Sequence, residues 1–268
     1  MLGKQQATVD GTMMRTSTVE LTADSPRGAA ARRTTAWTAV GLAAGAALAG
    51  GLLAPTDAAQ GPAQRLMYLH VPAAWVAYLA FAVVLAASVA HLARGDAGSD
   101  RVALAATEIG VVLTAVTLAT GSLWGHLVWG TWWAWDPRLV GTALLFLVYA
   151  AALALRRALA ERSGRPAHGD GRVTRPVAVL GVGGFLLVPL VHFCVLWWRS
   201  LHQQATVLAP QRPPIDPRMA LALLLAVAAA TVAATWVLAH RLVRLHRRAG
   251  TVRTAAARPP VRQPDLVP

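Results

Sequence analysis

The sequence predicts an all-α integral membrane protein with six transmembrane helices, both termini in the cytoplasm and a short amphipathic segment on the external side. Three observations carry this. The 268-residue chain is 56% hydrophobic and only 14% charged, where soluble domains are nearer a quarter charged. The apolar residues are gathered into six long runs. The basic residues alternate from one inter-run segment to the next.

The runs are 36–54, 71–92, 102–124, 139–155, 176–198 and 219–240. Each is roughly long enough to cross a hydrocarbon core of about 30 Å at about 1.5 Å per residue. The fourth is the shortest and reaches the interface through the long side chains of Arg156 and Arg157. Backbone polar groups in lipid must pair within the segment, so the runs read as helices. In the first, Gly41 and Gly45 are spaced for close helix approach. Arg32-Arg33 ahead of it and Asp57-Ala58-Ala59 after it resemble a signal sequence, but five more runs follow and an uncleaved helix is expected.

The net charge of +13 is mostly topology. Twenty of the 25 Lys and Arg fall in segments 1–35, 93–101, 156–175 and 241–268. This is the positive-inside pattern with both ends inside. The expected organisation is a disordered tail over 1–35, a membrane domain over 36–240 and a basic disordered tail over 241–268. Anionic lipid suits this charge, and nucleic acid does not. There is no phosphate-binding glycine loop, so energy input falls to a partner. The lone Cys194 excludes an internal disulfide, a C-x-x-C redox pair and covalent haem attachment through C-x-x-C-H.

Unusual residues gather outside. Of ten tryptophans, seven (124, 129, 132, 133, 135, 197 and 198) stand at external helix ends or in external loops. An interfacial aromatic belt accounts for Trp197 and Trp198, and for Trp124. It accounts poorly for four rings between 129 and 135. Trp129, Trp132, Trp133 and Asp136 are spaced i, i+3, i+4 and i+7, which in a short surface helix makes one aromatic shelf. Indoles offer rigid area at small entropic cost, and the fork of Arg138 suits a carboxylate. A flat, apolar ligand with acidic edges fits.

Two histidines lie at the same depth. His70, in YLHVPAAW, precedes Pro72, which suits a first helical turn. His192, in VPLVHFCVLWW, lies below the outer end of the fifth run, beyond a kink expected at Pro189. An ionisable residue there is a functional hypothesis by default. Two such imidazoles suit haem iron from opposite sides; hydrogen bonding within the bundle is the other reading of each. Glu108 is too far inward for this site and is expected to pair with an arginine or a polar neighbour. His91, His168, His240 and His246 are expected at inner surfaces or interfaces, and His202 in a loop, as a supporting donor, a partner contact or a solvated residue.

WGTWWAWDPRL resembles the tryptophan-rich WWD signature of haem-handling proteins of cytochrome c maturation. YLHVPAAW, TGSLWG and VHFCVLWWRSLHQ are similar, in order and between the same runs, to the haem exporter protein C family (CcmC), over about residues 36–240. The resemblance implies a haem b carrier of the bacterial inner membrane, not an enzyme, with His70 and His192 as axial ligands. It makes Trp129, Trp132, Trp133, Trp135 and Asp136 the WWD contacts, with Trp124 and Arg138 beside them. It implies delivery to the haem chaperone CcmE, with the ABC-type partners CcmA and CcmB and the small protein CcmD. Family members often carry a basic residue where His126 stands, which leaves His126 as a weaker propionate contact or a competing ligand. Val140 replaces a common hydroxyl residue. The rival classes are a CcsA-type cytochrome c synthase, which ordinarily has further external histidines and more spans, a b-type membrane cytochrome, which needs histidine pairs near both faces, and a permease, which needs broken helices near midplane.

Overall fold

A computed structural model describes residues 51–164, 167, 170–202 and 215–256, with Thr38, Gly41 and Gly45 before them. The tail over 1–35, nearly all of the first apolar run, His168 and the end of the second tail lie outside the described residues. Among these residues five segments are long and apolar enough to cross a membrane: Pro62–Arg94, Ala97–Trp129, Pro137–Ser163, Gly171–Trp197 and Pro217–Arg247. All regular elements among the described residues are helical. A 3₁₀ turn, Pro62–Leu66, leads into α1 (Met67–Arg94). Then come α2 (Ala97–Trp129), α3 (Pro137–Ser163), α4 (Gly171–Phe185), α5 (Leu187–Trp197) and α6 (Pro217–Ala256).

The caps explain the boundaries. Gly95 ends α1 in the left-handed region at φ 69°, and Asp96 starts α2 by accepting from Ser99 N at 2.7 Å. Gly130 (φ 74°) ends α2, and Asp136 caps α3. Helix formation therefore overruns the second, third, fourth and sixth apolar runs at both ends, because polar residues continue a helix until a glycine or a cap stops it. The largest overrun is in α6. Its Ala-, Leu- and Arg-rich continuation is helical to Ala256, so residues 241–256, expected as a disordered tail, belong to the helix.

Two prolines act differently. Pro189 has no N–H for the Phe185 carbonyl, and the fifth run divides there: α4 ends at Phe185, α5 begins at Leu187, and Leu186 N–H turns back to Gly183 O at 3.2 Å. The kink expected near Pro189 thus takes the form of a one-residue interruption at Leu186, whose own backbone stays right-handed helical (φ −59°, ψ −25°). Pro72, expected in a first turn, lies inside α1, which starts five residues earlier.

α1 runs along α2 and also packs on α4 and α6, while α3 packs on α2, α4 and α5. The fully buried Phe81 (α1) and Tyr149 (α3) stack face to face at 3.9 Å, and Tyr149 donates its hydroxyl to Gly181 O at 3.0 Å. Gly110 of α2 has no side chain because one would meet the Phe81 ring. Such close approach at small residues is how helices associate in lipid, where apolar burial supplies no drive.

At the end of the bundle away from the tryptophan loop, Arg156 holds Asp100 through two bonds of 2.6 and 3.0 Å, with both side chains buried, and also reaches Ala167 O at 2.9 Å. Glu108 pairs with Arg241 at 2.6 and 2.7 Å, tying α2 to α6. His91 is buried between Asp96 O and Thr174 Oγ1, each at 2.8 Å, so it is a packing residue. His240 lies against Trp236 at 3.8 Å.

Candidate functional site

At the tryptophan-loop end the bundle opens into a cavity of about 540 Å³, within the range of cofactor pockets. α1 contributes His70 and Tyr78, α2 Trp124 and Trp129, α3 Arg138, and α5 His192. The two histidines that sequence spacing could only place at similar depth thus face one space. Among the described residues no group of three or more His, Cys, Asp or Glu is arranged to hold a bare ion. Two imidazoles suit iron whose remaining ligands come from a macrocycle.

His70 sits in the first turn of α1. Its Nδ1 is 3.0 Å from Thr120 Oγ1, and its ring meets the Trp124 indole edge-on at 5.7 Å. Trp124 is held in turn, since its Nε1–H donates to Gln60 Oε1 at 3.0 Å. Gln60 is presented by a turn in which Asp57 Oδ1 accepts from Ala59 N at 2.9 Å and Gln60 N at 2.7 Å. His192 is brought in by α5, one turn past Pro189. Its ring makes edge contacts with Tyr78 at 6.2 Å and Phe193 at 4.8 Å.

Arg138 lines the cavity. Its Nη2 donates to the His192 carbonyl at 2.8 Å, while its buried Nε has no hydrogen-bond partner. A guanidinium lining an apolar cavity suits an anionic group of a ligand.

Asp136 is the tie of this region. Its carboxylate accepts from Arg138 N at 2.8 Å as the cap of α3, from Ser200 Oγ at 2.6 Å and from Leu201 N at 2.8 Å. Burial pushes the carboxyl pKa up, but these hydrogen bonds outweigh it and hold Asp136 below the usual carboxylate range. His202, also at the cavity, is pushed down to about 4, first by burial and then by the Arg138 guanidinium. Its Nδ1 stands 3.6 Å from Asp136 Oδ1, beyond hydrogen-bond range, and its ring meets Trp129 at 5.6 Å.

The expected four-residue shelf does not form. Residues 130–136 are not helical, because Gly130 turns the chain into the left-handed region and the next helix waits for Pro137. Trp129 is the last residue of α2 and lines the cavity; Asp136 is buried beneath the loop. Trp132 stacks on His126 at 4.2 Å and 8°. Trp133 and Trp135 meet edge to face at 6.0 Å, and Trp135 is 86% exposed. Trp132, Trp133, Trp135 and His126 are thus outside the cavity lining. The i, i+3, i+4, i+7 spacing misled because a helical period was carried through a glycine stop. Thr120, Gly121, Gln60, Tyr78 and Ser200 were not singled out from sequence. The string TGSLWG holds two of them, but nothing in it says that a histidine fifty residues away lies against it.

A family model described as "Heme exporter protein C" matches residues 22–256. The chain is similar to three proteins of that name. One, from Bradyrhizobium diazoefficiens, is 38% identical over 180 residues, 67% of this chain and 65% of the relative. Another, from Haemophilus influenzae, is 34% identical over 175 residues, 65% of this chain and 68% of the relative. A third, from Escherichia coli K12, is 37% identical over 169 residues, 62% and 63% of the two. The chain thus spans under two thirds of the length of the first and third.

Proposed function

The chain belongs to the heme exporter protein C family, and from that premise we propose that it holds haem b at the outer face of the bacterial inner membrane and hands it to the haem chaperone CcmE for cytochrome c maturation. One observation carries the site: His70, His192, Arg138, Trp124 and Trp129 line a single apolar cavity. In this reading His70 and His192 would hold the iron through their imidazoles. Arg138 meets a propionate with its guanidinium. Trp124 and Trp129 wall the macrocycle, and Trp132, Trp133, Trp135 and His126 offer exposed rings to the chaperone. Asp136 fixes their loop against the segment after α5. Bound haem supplies an iron centre with its own four ring ligands; the chain excludes water, orients the plane and releases the cargo. No residue acts as a catalyst. CcmA and CcmB supply ATP hydrolysis, and CcmD completes the assembly.

The test is the absorption spectrum of protein purified from membranes of cells that make haem. A low-spin, six-coordinate spectrum is expected, and His70→Ala or His192→Ala converts it to a five-coordinate form that added imidazole partly restores. Two single variants with the unaltered spectrum would remove the assignment. In cells lacking the protein the chaperone should be present but free of haem.

A further inference from the structure

We propose that Thr120 and Gly121 are positioning residues that fix His70 as its Nδ1–H tautomer, leaving Nε2 as the nitrogen with the free lone pair. The iron-binding consequence rests on the haem reading above; the tautomer itself does not.

A neutral imidazole carries one N–H and one lone pair, and the partner of one nitrogen sets the identity of the other. His70 Nδ1 lies 3.0 Å from Thr120 Oγ1. That hydroxyl has one hydrogen, and two carbonyls compete for it: Val116 O at 2.7 Å and Thr117 O at 3.2 Å. Carbonyls cannot donate. The shorter contact takes the hydroxyl hydrogen, which leaves Oγ1 a lone pair for the imidazole. Nδ1 thus faces an acceptor and carries the proton. A ligating histidine whose second nitrogen donates to an oxygen is fixed in tautomer and orientation and made more basic.

Gly121 makes the approach possible. A Cβ built there would stand 2.9 Å from His70 Cε1 and 3.5 Å from Nδ1. Any side chain displaces the ring from α2 and lengthens the bond to Thr120. The adjacent pair therefore does two jobs, a hydroxyl to orient the ring and a bare Cα to admit it.

The experiment uses the whole protein in lipid nanodiscs at about pH 8, where an ordinary histidine is neutral, with ¹⁵N-labelled histidine. In haem-free wild type, His70 should give a protonated Nδ1 and a bare Nε2. Thr120→Val, which keeps the shape and removes the acceptor, should shift signal to the Nε2–H form, and Thr120→Ser should keep the wild-type pattern. Gly121→Ala should lose it with Thr120 intact, so the proposal stays testable should the valine variant fail to insert. In haem-loaded protein Thr120→Val should raise the iron midpoint potential, because losing the Nδ1–H···O bond weakens donation to ferric iron. It should also lower haem retention about 10- to 100-fold, as outer partners of metal ligands do. Wild-type His70 as Nε2–H, or Thr120→Val and Gly121→Ala both leaving tautomer and potential unchanged, would overturn the proposal. Wild type that takes up no haem but shows the expected nitrogen pattern would overturn the haem reading alone.

Discussion

Replacing Asp136 by Asn separates the carboxylate's charge from its shape. The wild-type oxygens divide their work: Oδ1 caps α3 through Arg138 N at 2.8 Å, and Oδ2 accepts from Ser200 Oγ at 2.6 Å and Leu201 N at 2.8 Å. An asparagine can keep its oxygen on Arg138, where it remains a good N-cap. Its NH₂ then faces Ser200 and Leu201. The Ser200 hydroxyl can turn and accept, but the Leu201 amide cannot, so one part-buried N–H loses a charged acceptor and meets a donor. A hydrogen bond to a charged group contributes about 1.5–3 kcal/mol, and a stranded donor costs a similar amount. Taking about 2 kcal/mol, local opening of the segment after α5 becomes about 30-fold more frequent, at about 1.4 kcal/mol per tenfold. Amide hydrogen exchange at Leu201 reads that opening directly. Asp136→Asn should speed Leu201 exchange by about that factor and leave the core amides around Phe81 and Tyr149 unchanged. Asp136→Ala, which also removes the cap, should do more. Leu201 exchange equal to wild type in both variants would refute the reasoning.

Three further outcomes follow from the geometry. Arg156→Met leaves the buried Asp100 carboxylate alone and should cost about 3–5 kcal/mol, while Arg156→Met with Asp100→Leu should recover most of it; unfolding in detergent measures both, and a single variant as stable as wild type counts against a structural pair. The lowered pKa of His202, about 4 against an ordinary 6.5, sets a sign: between those values an unfolded segment binds the proton and the folded one does not. Segment stability is therefore full above about pH 6.5 and falls as pH drops toward 4, so Leu201 exchange, corrected for its intrinsic rate, should rise across that window and flatten in His202→Gln. Trp129→Leu should lower haem retention about 5- to 150-fold if ring stacking contributes about 1–3 kcal/mol, as for nucleobases, whereas Trp135→Leu should leave retention unchanged; equal effects in haem content per protein would erase the division between cavity wall and exposed loop.

Hydropathy made five described spans legible, since lipid permits little besides helices. The caps at Asp96, Gly130 and Asp136 were not read from the sequence, and the reading of residues 129–136 passed over Gly130 in favour of a periodic pattern. Composition could not show how far α6 continues, because arginine-rich sequence serves equally as helix or tail until packing decides. That His70 and His192 deserve attention followed from their type and depth. Their common cavity is a tertiary fact, and so is the contact between His70 and Thr120, fifty residues on. Periodicity reports which face of a helix is apolar, not which polar atom waits opposite.

Asp136 carries one more consequence, in the order of biosynthesis. Its partners Ser200 and Leu201 are 64 and 65 residues further along the chain. While α3 is entering the membrane, the carboxylate has only its own helix amide to hold, and the cavity lacks His192 altogether. The site is completed in one late step, when α5 and the residues after it are delivered together. A nascent chain halted before residue 192 would thus hold His70 without His192 and leave Asp136 without its late partners, an incomplete site open to quality control.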